Sequence, residues 1–232
     1  MRYELSKPAE YKHAKDDAPI AYVPWGAHEW HGVHNPLGLD TLKAHALCLA
    51  LCAETGGVVF PPVYSGFCTM KTYKGFDCTL EFARETVKTL VAEYLSNLKD
   101  EGFRVVVIVM GHYGGEHQKA IQEVVSEFNG SQDTCIAWAF PDYEPTKDEG
   151  FPGDHAGRSE TSYMLHFHPE LVDISRLPDR ELTVEEDGIL GTDPREATPE
   201  WGRDALNVFV KNAAPRVRDL LKQARSTNGS SL

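Results

Sequence analysis

No run of about 18 apolar residues occurs anywhere in the 232-residue chain, so a membrane-spanning helix is not expected. Basic residues are also scarce. Lys and Arg number 23 against 35 Asp and Glu, a formal net charge of −12. Nucleic acid is therefore a poor partner, because phosphate contacts require basic patches. The first residues, MRYELSKPAEYKHAKDDAP, are polar and lack the apolar core of a secretory signal. Cysteine is sparse and odd in number, five residues with no CxxC pair, which suits a reducing cytoplasm better than a disulfide framework. Cys48 and Cys52, four apart in an apolar helical pattern, read as buried thiols. There is no internal repeat, and no linker divides the chain.

Apolar residues make up 41 % of the chain, enough for a sizeable core. PIAYVPWG (19–26) reads as a buried strand ending in Pro and Gly. The segment 40–57 has helical spacing and a Gly-Gly stop. A second strand is expected over 58–67, cut by prolines, and then a loop over about 65–80. The segment 81–103 is an amphipathic helix in which Val87, Leu90, Val91, Tyr94, Leu95 and Leu98 share a face. RVVVIVM (104–110) has no polar alternation, the pattern of a parallel strand covered on both faces. A helix over about 115–128, a strand over 134–140, a long loop over 141–158 and a helix over 158–168 follow. The stretch 170–200 is polar and turn-rich. A last helix over about 200–225 is expected to kink at Pro215, and the tail from about 226 to 232 is expected to fray. The alternation predicts one α/β domain over 1–232, three-layered, with a mostly parallel sheet flanked by helices.

Chemistry-bearing residues collect after three of these strands, at 26–41, 111–117 and 153–162. In a parallel sheet all three segments reach the same edge, where ligands of such folds bind. Glu29 and His31 are two apart, so an extended segment presents both from one face. Asp40 falls at a helix start, a position most often occupied by an N-cap. Imidazole and carboxylate together suit Zn or Mn, and no cysteine lies in these clusters. The number of candidate ligands exceeds what one catalytic ion takes from a protein, and a carboxylate-bridged pair of ions is plausible. His28 and His34 remain open between packing and substrate, His45 reads as structural, and Glu116 and His117 receive no role.

PWGAHEWHGVHNPLGLDT closely resembles the first motif of the creatininase (creatinine amidohydrolase) family, G-[SA]-x-E-x-H-G-x-H-x-P followed by D-T. GHYGG is similar to that family's G-H-G-G-N, and DHAGRSETS to its H-A-G-x-x-E-T-S. The resemblance spans about residues 21 to 165. It implies two divalent ions, Zn or Mn with Fe as a third option. Glu29, Asp40 and His112 would hold one; His31, Asp40 and Glu160 would hold the other. It also implies that His155 is the catalytic histidine, passing a proton to the leaving nitrogen, and that the protein is a homo-oligomer, in some members a hexamer. Tyr113, His34 and Phe151 are the candidate substrate contacts. The implied reaction is hydrolysis of a C–N bond in a small cyclic amide or related compound by a metal-activated water. Formamide deformylation, peptide trimming and keto-inositol ring opening on the same scaffold are the alternatives, and a non-catalytic metal-binding protein is a further one. The pattern departs at Met110, Gly115, Arg158 and YKGFDCT (73–79), and Phe151 and Pro152 stand where creatininase proper has Trp-Asp. These changes touch the pocket and spare the ligand positions.

Overall fold

The computed structural model describes residues 1–227, so most of the tail expected to fray, 228–232, lies outside the described residues. Among the described residues five strands form one parallel sheet: β1 (Ile20–Gly26), β2 (Val58–Val59), β3 (Val63–Tyr64), β4 (Val105–Met110) and β5 (Ile136–Pro141). The order is β2-β1-β4-β5, with β3 also paired to β1. The helices are α1 (Pro8–Asp17), α2 (Leu39–Thr55), α3 (Met70–Lys74), α4 (Arg84–Asp100), α5 (Gly115–Ser131), α6 (Arg158–Phe167), α7 (Val184–Asp187) and α8 (Pro199–Thr227).

Successive residues of a strand point to opposite faces, and here both faces are covered. Ala21, Val23, Trp25, Val106, Ile108 and Met110 pack in one core with Val87, Val91 and Leu95 of α4 and Ile121 and Val124 of α5. Ile20, Tyr22, Val105, Val107 and Val109 pack in the other with Leu47 and Leu51 of α2, Tyr163 of α6 and Phe209 and Val217 of α8. This is why the strands read as unbroken apolar runs. The result is three layers, α4 and α5 on one side of the sheet and α2, α6 and α8 on the other.

The expected 58–67 strand is two fragments, because Pro61 and Pro62 supply no N–H to a ladder. Pro24 sits opposite that gap. Tyr22 O accepts from Phe60 N on the β2 side and Trp25 O from Gly111 N on the β4 side; by alternation residue 24 faces β2 and β3, where the break between them asks for no donor. The polar N-terminal stretch contains α1, which periodicity missed because it buries no residue. Pro8 opens it, and Glu10 accepts from the Lys7 N–H at 2.9 Å. A short helix, α3, lies in the expected 65–80 loop, and α8 continues on both sides of Pro215. No described helix is long and apolar enough to cross a membrane.

Chain order runs from β1 out to β2 and β3, then back across to β4 and β5. The direction of winding therefore switches between β1 and β4. At such a point the loops leaving two adjacent strands diverge and open a crevice beyond their carboxyl ends.

Candidate active site

β1 runs into Ala27, His28 and Glu29; β4 runs into Gly111 and His112; β5 runs into Asp142. Asp40 and Glu160 stand in the first turns of α2 and α6, helix starts that favour an acid. The start of α2 rests directly on the two strand ends. A Cβ at Gly111 would collide with the Asp40 carbonyl oxygen, and one at Gly26 with Thr41. Bare backbone at both positions is what lets Asp40 reach the crevice.

Five side chains predicted from the sequence as ligands converge there, each no more than 4 % exposed. Glu29, Asp40 and His112 form one set whose ligand atoms lie within 4.8 Å of one another; His31, Asp40 and Glu160 form a second. Asp40 belongs to both. His31 Nε2 is 2.9 Å from Asp40 Oδ1 and 3.5 Å from Glu160 Oε2. His112 Nδ1 is 2.8 Å from Glu29 Oε2 and 3.4 Å from Asp40 Oδ2.

The far atoms of each ligand are tied to backbone. His31 Nδ1 lies 3.0 Å from Glu29 O and His112 Nε2 lies 2.9 Å from Phe67 O, both as donors, which turns the other nitrogen of each ring inward toward the acids. Met70 N donates to Glu29 Oε1 at 2.6 Å, and Ala156 N to Glu160 Oε2 at 2.8 Å. The 65–80 segment, expected as a loop, thus supplies Phe67 O and Met70 N. It is held in turn by Glu81, whose carboxylate accepts from Cys68 N at 2.7 Å and from the Thr69 hydroxyl.

Electrostatics follow from packing acids and imidazoles out of water. Burial opposes charge on His31, but the Asp40 carboxylate outweighs it and pushes the imidazole up to about 9. Burial likewise opposes charge on His112, and Glu29 drives it well above the ordinary range. Against burial, the charge of His31 holds Asp40 well below the usual carboxylate range, and Lys43 holds Glu160 down. Glu29 Oε2, His31 Nε2 and Asp40 Oδ2 are buried without an aligned hydrogen bond, close as they lie to one another. A divalent cation can take the place of the protons that balance these acids, and the donor set is of the kind Zn and Mn accept.

A cavity of about 620 Å³ opens on this cluster, lined among others by Met70, Tyr73, Tyr143 and Leu190. His155 lines it, its ring 4.3 Å from that of His31 and its Nε2 2.9 Å from Trp30 O. Burial, then the charge of His31, lowers its pKa. Tyr113 also lines the cavity, but its hydroxyl sits 2.7 Å from Asp154 O and 2.8 Å from Glu160 Oε1.

Two of the expected substrate contacts lie elsewhere. His34 is 2 % exposed, 3.1 Å from Thr161 Oγ1, and does not line the cavity. Phe151 turns away to pack edge-on against Trp201 at 4.9 Å, drawn by the apolar surface of α8. His117 packs behind His112 at 4.8 Å between ring centres, and Glu116 is a surface residue paired with Lys119.

Sequence reasoning missed Lys43 and Asp142, 1 % and 2 % exposed. Lys43 Nζ lies 2.6 Å from Glu160 Oε1 and 2.9 Å from Asp142 Oδ2. Burial opposes its charge, but Asp142 and Glu160 raise its pKa; burial in turn pushes Asp142 up to about 7. Both had a signal. Lys43 lies on the stripe of Leu39 and Leu47, where an unpaired cation does not belong, and Asp142 is the first residue past a strand end.

Residues 4–217 match the Creatininase family, described as creatinine amidohydrolase. The chain is 30 % identical over 222 residues to the mycofactocin precursor peptide peptidase of Mycolicibacterium smegmatis, covering 86 % of this chain and 85 % of that one. It is 27 % identical over 233 residues to the creatinine amidohydrolase of Pseudomonas putida, with 86 % and 89 % covered. The solved structure titled Creatininase Mn superposes with a TM-score of 0.79 at 25 % identity, over 94 % of this chain and 97 % of that one.

Proposed function

The chain belongs to the creatininase family, and on that premise we propose that it hydrolyses a C–N bond of an amide with two divalent cations. Glu29, Asp40 and His112 would hold one and His31, Asp40 and Glu160 the other. The observation that carries this reading is the pair of three-residue sets sharing the Asp40 carboxylate. Cations held there would acidify a water and stabilise negative charge on the carbonyl oxygen.

The side chains supply the rest. Trp30 O accepts from His155 Nε2–H, so Nδ1 is the atom that takes and returns a proton. Its lowered pKa keeps the ring neutral at pH 7, a base first and then the acid that protonates the leaving nitrogen. Tyr113 and Lys43 fix Glu160, and the Phe67 and Met70 backbone groups fix His112 and Glu29. Orientation by such partners is what holds ligands in productive geometry.

Names of two relatives, a creatinine amidohydrolase and a peptide peptidase, share amide cleavage. A small cyclic amide is one substrate reading. A larger amide is the second, favoured by the 620 Å³ cavity, a size that admits ligands well beyond a single small ring. The test is a panel of creatinine, N-formyl-aminopyrimidines, cyclic ketones and short peptides, assayed with added Mn or Zn. Turnover of an amide that stops on chelation supports the proposal. Turnover unaffected by chelation, or confined to the ketones, overturns it.

A further inference from the structure

Lys43 is 1 % exposed, a burial lysine tolerates only with its charge matched. It follows Asp40 by three residues on α2, so both stand on the same side of the helix. Its ammonium touches Glu160 Oε1 at 2.6 Å and Asp142 Oδ2 at 2.9 Å, and stands 4.9 Å from the centre of the Tyr113 ring. Glu160 is thereby divided. Oε1 takes Lys43 and the Tyr113 hydroxyl, while Oε2 takes the Ala156 N–H and faces His31 Nε2 at 3.5 Å. Among the described residues no lysine or arginine forms an ion pair with Glu29 or Asp40, whose partners are His31 and His112.

We propose that Lys43, anchored by Asp142, is a positioning residue for one cation set only: by tying Oε1 it makes Oε2 the oxygen that Glu160 presents beside His31 and Asp40. This rests on the two-cation reading above. A carboxylate free to rotate would offer either oxygen or both and lose the geometry of that set. Among the described residues the Glu29–Asp40–His112 set has no ion pair or hydrogen bond with Lys43 and would keep its own geometry. The same helix turn that carries the shared carboxylate thus carries the group that sets its neighbour.

The experiment is a calorimetric titration of the chelator-treated full chain with MnCl₂. Wild type is expected to bind two equivalents. In Lys43→Met the affinity of one site should fall about 10- to 100-fold, the range for loss of a partner that orients a ligand, with the other site within about threefold. In a Glu160→Gln background, Lys43→Met should add less than about twofold, because the lysine acts through that carboxylate. A lysine that merely stabilises the fold would weaken both sites or multiply with Glu160→Gln, and either result overturns the inference. So does a Lys43→Met chain with wild-type affinity at both sites. Should Lys43→Met lose its native circular dichroism, Lys43→Leu, which likewise removes the donor, is held to the same criteria. A wild-type chain that binds no Mn sinks the two-cation reading itself, whereas two sites unmoved by Lys43→Met sink only the role of the lysine.

Discussion

Asp40 and His31 face each other across 2.9 Å, Oδ1 to Nε2, while the second oxygen of the same carboxylate turns to His112 at 3.4 Å. One side chain therefore belongs to two ligand sets. Its loss should cost both. Asp40→Ala is expected to lower amide hydrolysis by about 10³-fold or more, the worth of several kcal/mol of charge stabilisation. Metal analysis should find less than one equivalent bound while circular dichroism stays native. A variant that retains two ions and turns over would end the shared-ligand account.

Cations that bind the folded chain and not the unfolded one must raise its stability. At a hundred times Kd each site adds about 2.7 kcal/mol, which for a chain of this size is a shift of about 5–10 °C in Tm. Melting with MnCl₂ and then with excess chelator measures it. The shift should vanish in Asp40→Ala, and equal shifts in both chains would show that the ions act elsewhere.

Gly111 is required by contact, not by backbone angle. A Cβ there meets the carbonyl of Asp40, whereas one at Gly115, four residues on, meets nothing within 4 Å. Gly111→Ala is expected to destabilise by about 1–3 kcal/mol through overpacking and to weaken Mn binding by displacing the α2 start. Gly115→Ala should leave stability within about 0.5 kcal/mol. Urea unfolding of the two variants side by side decides it, and equal losses would remove the argument.

His34, which is not itself one of the proposed ligands, makes acid stability testable. Burial, and after it the positive His31, lowers its pKa to about 4. The unfolded chain takes up that proton near pH 6.5, so between 6.5 and 4 the unfolded state binds more protons. The contribution is fully present above pH 6.5 and is lost as pH falls toward 4, on the order of 2–3 kcal/mol. His34→Gln should lose less stability than wild type between pH 7 and pH 4.5 in guanidinium unfolding. Parallel acid limbs would mean that the ring is charged in the folded chain.

Local pattern carried much of this molecule. Two-sided burial makes β4 an unbroken apolar run, a property visible in RVVVIVM before any fold is known. The 17-residue α4 shows its buried face at Val87, Val91, Leu95 and Leu98 for the same reason. The family resemblance pointed to the five acids and imidazoles that the crevice gathers. Phe151 shows the limit of that reasoning. Its place in the sequence pointed to the pocket, but the apolar surface of Trp201 offered it more than the cavity did.

What the sequence by itself determined is the set of elements and the chemistry at their ends, since periodicity and helix-start acids act over a few residues. What only the tertiary structure decided is which of those ends meet. Lys43, Asp142 and Glu160 are separated by as many as 117 positions, and nothing local ties them. The backbone of Phe67 and Met70 has no side-chain signature at all, yet it orients His112 and Glu29. The reversal of winding between β1 and β4 brought these groups to one crevice. Burial there, by removing water, turned scattered polar residues into a network in which each must find a partner.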